Sequence, residues 1–209
     1  MKKKERALFI QKTLDVLFPH PEIPLSHRDP YTFLLAVILS AQCTDKRVNQ
    51  VTPLLFAKAS NPKEMAQLSV EEIQALIRPC GLSLSKAKAI KRLSEILLEK
   101  FDGTIPKTRK DLESLPGVGR KTASVILSQI FHIPSFPVDT HIHRCAKRWK
   151  LSKGINVRKT EEDLKRAFSK SNWNKLHLQI IYYARSACPA KGHRVENCPI
   201  CKYIKENDC

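Results

Sequence analysis

The chain has 209 residues, 42% of them hydrophobic, and its 37 Lys and Arg outnumber 20 Asp and Glu to give a formal net charge of +17. That is enough apolar material for one core or two small ones and too much for a disordered chain, while no run reaches the apolar length of a membrane span, so no membrane partner is expected. The positive excess is spread along the sequence and favours a polyanionic partner through counterion release.

From the N-terminus, Met1-Lys2-Lys3-Lys4 has the charge of a secretory leader, but Lys12 and Asp15 interrupt the apolar stretch behind it. A cytoplasmic, reducing compartment is therefore expected for the seven cysteines, where clustered thiols read as metal ligands and scattered ones as core residues. Ile10, Leu14, Leu17 and Phe18 have the spacing of an amphipathic first helix, ended by Pro21. Asp29-Pro30 can cap the next helix, whose apolar run from Tyr31 to Leu39 predicts a central, buried position. Asn61-Pro62 with Glu64, and Ser69 with Glu72, are N-terminal signatures of two short helices. Between Lys86 and Lys100 the residues Ile90, Leu93, Ile96 and Leu97 form one stripe, and Thr108 with Asp111 starts a brief helix. An apolar helix from Thr122 to Phe131 follows, and Pro134 and Pro137 then bracket a break. Few runs alternate at period two, so the reading is all-α, with about ten helices and short loops.

Three places carry chemistry. In Leu115-Pro116-Gly117-Val118-Gly119-Arg120-Lys121-Thr122-Ala123, Gly117 and Gly119 allow a tight turn and let the amides that open the next helix approach an anion. Lys121 falls on the first turn of that helix beside Arg120, where the positive end of the helix favours the neutral, nucleophilic amine over the ammonium. Val138-Asp139-Thr140-His141 follows; Asp139 reads as the N-cap of a helix running from Thr140 to Ala146. Asp139, His141 and His143 do not make a convincing metal triad, since residues two apart on a helix face different ways. The third place is Cys188, Cys198, Cys201 and Cys209 in the pattern C-x9-C-x2-C-x7-C. Four soft thiolates imply a metal site, and spacing alone leaves zinc and iron–sulfur open. Cys43, Cys80 and Cys145 stand apart and read as buried thiols.

The string LPGVGRKTA, the downstream VDTH and the four C-terminal cysteines together resemble the endonuclease III family of helix-hairpin-helix DNA glycosylase/AP lyases, over nearly the whole chain. The resemblance implies a two-lobed fold: a six-helix bundle over residues 21–136 and a second lobe made of 1–20 with 137–209, with DNA in the groove between them. It implies a monomer acting on double-stranded DNA that carries a damaged base, an oxidised pyrimidine, or an abasic site. Lys121 would attack C1′, expel the base and form a Schiff base before β-elimination on the 3′ side; Asp139 would assist the lysine and stabilise charge on the sugar. Gln42, in Ser40-Ala41-Gln42, would enter the gap left by the extruded base, and Leu82 after Gly81 would act as an apolar wedge. Gly117, Gly119, Arg120 and His141 would meet DNA, as would Lys191 and Arg194 in the loop after the first cysteine. The four cysteines would hold one [4Fe-4S] cluster, with zinc as the alternative, although the family's spacing is C-x6-C-x2-C-x5-C. Two other readings stand beside this one: a non-catalytic DNA-binding module with structural zinc, and an adenine- or mismatch-specific glycosylase, a relative that lacks the lysine.

Overall fold

In a computed structural model, which describes residues 1–207, the described residues are helical with no strand. Twelve α-helices are described: α1 (Lys3–Leu17), α2 (Pro30–Leu39), α3 (Asp45–Lys58), α4 (Pro62–Gln67), α5 (Val70–Ile77), α6 (Ser83–Phe101), α7 (Arg109–Glu113), α8 (Arg120–Gln129), α9 (Thr140–Arg148), α10 (Val157–Ala167), α11 (Trp173–Ser186) and α12 (Pro199–Asn207). Their starts follow local chemistry. Asp29 accepts a hydrogen bond from the Thr32 amide at 2.8 Å, Asn61 from that of Glu64 at 3.0 Å, and Thr108 from that of Asp111 at 3.1 Å. Ser69 and Glu72 exchange side-chain bonds with each other's amides at 3.1 and 2.8 Å, satisfying donors that a helix N-terminus leaves without partners.

The chain divides into two compact units, Ile23–Phe131 and Met1–Glu22 with His132–Cys209. The first is continuous and carries α2 to α8, seven helices where six were expected; α4 and α7 are single turns of 6 and 5 residues. All of Tyr31–Leu39 is buried, so α2 forms the axis against which Val48, Val51 and Leu55 of α3, Ile73 and Ile77 of α5, Ile90, Leu93 and Leu97 of α6, and Ile126 of α8 assemble. Helix α6 starts at Ser83, three residues before the expected stripe, and its buried face includes Lys86.

The second unit gathers α1 and α9 to α12 around Trp149, Tyr183, Phe136, Ile142, Ile180 and the cysteines. Its boundary falls before His132 rather than after residue 136, because Phe136 is fully buried in this core and lies 6.4 Å from Phe168, ring to ring. Helix α1 buries Arg6, Ala7, Ile10 and Leu14, whereas Leu17 in its last turn is exposed. Arg6 joins the buried stripe because its guanidinium donates to the carbonyls of Lys150 at 3.1 Å and Met1 at 3.3 Å. No described helix is long and apolar enough to cross a membrane.

Candidate active site and metal centre

The hairpin joins α7 to α8. Leu115 and Val118 anchor it in the core of its unit, the Val118 amide donates to the Leu115 carbonyl at 3.1 Å, and Arg109 reaches from α7 to the Ser124 hydroxyl of α8 at 2.9 Å. Gly117 has φ +78°, and a Cβ there would lie 3.1 Å from the Ala89 Cβ, so both backbone and packing demand glycine. A Cβ on Gly119 would meet nothing within 4 Å; its absence leaves the approach to the start of α8 open. Arg120 and Lys121 are the first two residues of α8 and both are exposed.

In the same unit, Gln42 and Leu82 are exposed loop residues with left-handed backbones, φ 54° and 46°. Cys80 and Cys43 adjoin between these loops; burial, then the Cys43 thiol, push Cys80 up to about 11. Beneath them Lys86 is 5% exposed, with its ammonium directed to the carbonyls of Leu39 and Ala41 at 2.8 Å and Cys80 at 2.9 Å. Burial lowers its pKa from the ordinary lysine value.

In the other unit Asp139 is the N-cap of α9: its Oδ1 accepts from the Ile142 amide at 2.8 Å. His141 Nδ1 accepts from Arg144 at 3.3 Å, while His143 Nδ1 lies 2.9 Å from the Thr160 hydroxyl. The two rings thus serve different neighbours, and the group of ion-holding side chains identified among the described residues does not include Asp139, His141 or His143.

That group is Cys188, His193, Cys198 and Cys201, whose ligand atoms all lie within 4.8 Å of one another, with Cys188 and Cys201 Sγ 3.9 Å apart. Cys209 falls outside the described residues. The surroundings suit thiolates: Arg148 donates to Cys188 Sγ at 3.2 Å, and the Tyr183 hydroxyl lies 3.3 Å from Cys198 Sγ while accepting from the Ile200 amide at 3.0 Å. Hydrogen bonds from the thiols of Cys145, then Cys198 and Cys201, hold the Cys188 pKa far below its ordinary value, while those with Cys188, then Cys198, push Cys201 up. His193 Nε2 is buried with no hydrogen-bond partner among the described residues, a cost that metal ligation would remove. Arg148 also donates to the Pro189 carbonyl at 2.7 Å and Arg144 to the Cys188 carbonyl at 3.1 Å, so α9 fixes the base of the loop that displays Lys191 and Arg194 on the surface. Sequence reasoning missed both arginines. Their spacing of four on the helix that Asp139 caps was the available signal.

Residues 35–170 match the family model of the HhH-GPD superfamily base excision DNA repair proteins. Over 208 residues the chain is 40% identical to endonuclease III of Escherichia coli strain K12, covering 98% of this chain and 99% of that one. The chain belongs to the endonuclease III family. It is also 40% identical to endonuclease III of Bacillus subtilis strain 168, covering 91% of this chain and 87% of the relative. A solved structure of a trapped covalent endonuclease III–DNA intermediate aligns with a TM-score of 0.91 at 37% identity, covering 96% of this chain and 94% of that one. Family membership thus accounts for the hairpin, the all-α fold and the cysteine group together, and sets aside the reading as a non-catalytic module.

Proposed function

We infer that the protein is a base-excision DNA glycosylase with associated AP lyase activity, acting in the cytoplasm as a monomer on double-stranded DNA that holds an oxidised pyrimidine or an abasic site. The observation that carries this reading is Lys121 on the first turn of α8, behind the Gly117–Gly119 hairpin, in a chain so similar to a protein trapped covalently on DNA. The lysine nitrogen attacks C1′ of the damaged nucleotide, the C1′–N bond to the base breaks, and the base leaves with the bonding electrons and gains a proton; the lysine nitrogen then loses its remaining proton as its electron pair opens the C1′–O4′ bond, and O4′ becomes a hydroxyl. The resulting imine makes a C2′ proton acidic; its loss expels the 3′ phosphate by β-elimination. Asp139, held by its cap bond, accepts the lysine's proton and stabilises positive charge on the sugar. The α8 amides at Arg120, with Gly117 and Gly119, grip phosphate, and Lys191, Arg194 and His141 contact the backbone. Gln42 and Leu82 enter the duplex where the base has left.

We further propose that Cys188, Cys198, Cys201 and Cys209 hold one [4Fe-4S] cluster, and the buried thiols with their Arg148 and Tyr183 neighbours fit such a group. When bound, it cross-links the C-terminal segment through its thiolates. A second reading is favoured by one observation: a tetrahedral zinc with bonds of about 2.3 Å to sulfur spaces its ligands about 3.8 Å apart, close to the 3.9 Å between Cys188 and Cys201, and His193 stands where a fourth ligand would.

Borohydride reduction during turnover tests the chemistry. Wild-type protein is expected to yield a protein–DNA adduct and Lys121→Ala none; an undiminished adduct in the variant overturns the assignment. Metal analysis of anaerobically purified protein separates the two centres: about four irons per chain with brown colour supports the cluster, and one zinc in colourless protein supports the zinc site.

A further inference from the structure

Lys86 is the buried cation of the hairpin-bearing unit, and the reading of Lys121 and Asp139 gives it nothing to do. Its place in the fold does. Leu39 ends α2, Ala41 precedes Gln42, and Cys80 closes the turn Arg78–Cys80, two residues before Leu82. All three carbonyls converge on the Lys86 ammonium, at 2.8, 2.8 and 2.9 Å, which matches the three donors that an ammonium has. The Lys86 amide in turn donates to the Leu82 carbonyl at 3.0 Å. One residue therefore holds the main chain beside both Gln42 and Leu82, two of the exposed residues whose backbone is left-handed.

A positive φ at a residue with a side chain is unfavourable and lasts only where the surroundings enforce it. Gln42 and Leu82 both have it; the Lys86 ammonium binds the carbonyls of Ala41, just before Gln42, and of Cys80, two residues before Leu82, and the Lys86 amide binds that of Leu82 itself. The carbonyls at the end of α2 lie at the negative end of that helix and lack intrahelical donors, so a cation suits the position and an apolar side chain would leave three acceptors buried and unmet. The Cys43 and Cys80 thiols also meet here, and Arg47 of α3 donates to the Pro79 carbonyl at 3.4 Å in an exposed contact; neither reaches the carbonyls that Lys86 binds.

We propose that Lys86 is a positioning residue for base extrusion: its buried ammonium clamps the Gln42 loop to the Leu82 loop, so that the two side chains enter a duplex as one preorganised pair. The proposal rests on the reading of Gln42 and Leu82 as the residues that enter the duplex. Fixing both loops before DNA arrives removes an ordering cost from the step that opens the helix.

The test compares two substrates in the full-length protein with its metal centre intact: a duplex with one oxidised thymine, which must be opened, and a single-stranded oligonucleotide with one abasic site, which need not be. Lys86→Met keeps the length of the side chain and removes its donors. Duplex excision under single turnover is expected to slow about tenfold or more, as for a modest misplacement of positioning groups, while cleavage and borohydride trapping on the single strand stay within about twofold of wild type. A wild-type duplex rate overturns the proposal, and so does an equal loss on both substrates, which would mark Lys86 as general scaffolding. Should circular dichroism show that Lys86→Met does not fold, Lys86→Arg takes its place: a planar fork cannot serve three convergent carbonyls, and the same selective slowing is required of it. Failure of wild-type protein to trap on the single strand would instead count against the Lys121 chemistry, so the two failures are distinguishable.

Discussion

The unit Ile23–Phe131 is continuous in sequence and its core is largely aliphatic, packed about a helix that is buried on every side. The other unit joins two distant segments, and its interior holds Trp149, Tyr183, Phe136 and four cysteines together with buried Arg6, His177 and Gln179. The contrast shows two ways of closing a small core. A continuous segment brings its apolar faces together through short loops and needs few specific ties. A core assembled from the chain's two ends must also register them, and does so with directional groups: Arg6 to Lys150, Gln179 to the end of α1, and thiols grouped closely enough to hold a metal. Directional contacts are lost all at once when one partner goes, whereas apolar burial degrades in steps.

The largest expected break comes from the metal. Both tryptophans, Trp149 and Trp173, lie in the metal-bearing unit, and Trp149 packs edge-on to Tyr183 at 5.7 Å, itself beside Cys198. Chelation or Cys198→Ser should destabilise this unit by about 3 kcal/mol or more, a fraction of what metals contribute in small metal-folded domains. Tryptophan fluorescence during urea unfolding measures the loss, and amide exchange in α2 should remain near wild type. Equal acceleration of exchange in α2 would break the distinction between the units.

Next in size is a cavity in the aliphatic core. Leu35 is fully buried in α2, and Leu35→Ala is expected to cost about 2–5 kcal/mol, seen as a lower urea midpoint by circular dichroism with metal content unchanged. The smallest effect tests a single polar tie. Gln179 Nε2 donates to the carbonyls of Leu14 at 3.2 Å and Phe18 at 2.9 Å and to Asp15 at 3.0 Å. Gln179→Leu should cost about 1–3 kcal/mol and raise exchange in α1 before that in α11. Uniform acceleration across both helices would mean that apolar packing, not the amide, registers the N-terminal segment.

The sequence by itself determined whatever is settled within a few residues. Asp29, Asn61, Ser69, Thr108 and Asp139 all cap the helices that their spacing marks, because a cap bond spans three residues and needs no tertiary partner. The glycine hairpin, the all-helical class and the cysteine pattern were legible for the same reason. Only the tertiary structure decided which core claimed Phe136, that Arg6 and Lys86 are buried cations while Leu17 is exposed, and that His193 joins three cysteines. The two buried cations depend on acceptors from segments far away in the chain: Leu39 and Ala41 for Lys86, and Lys150 for Arg6. A charged side chain reads as solvated until the fold brings carbonyls to it, and local periodicity carries no record of that encounter.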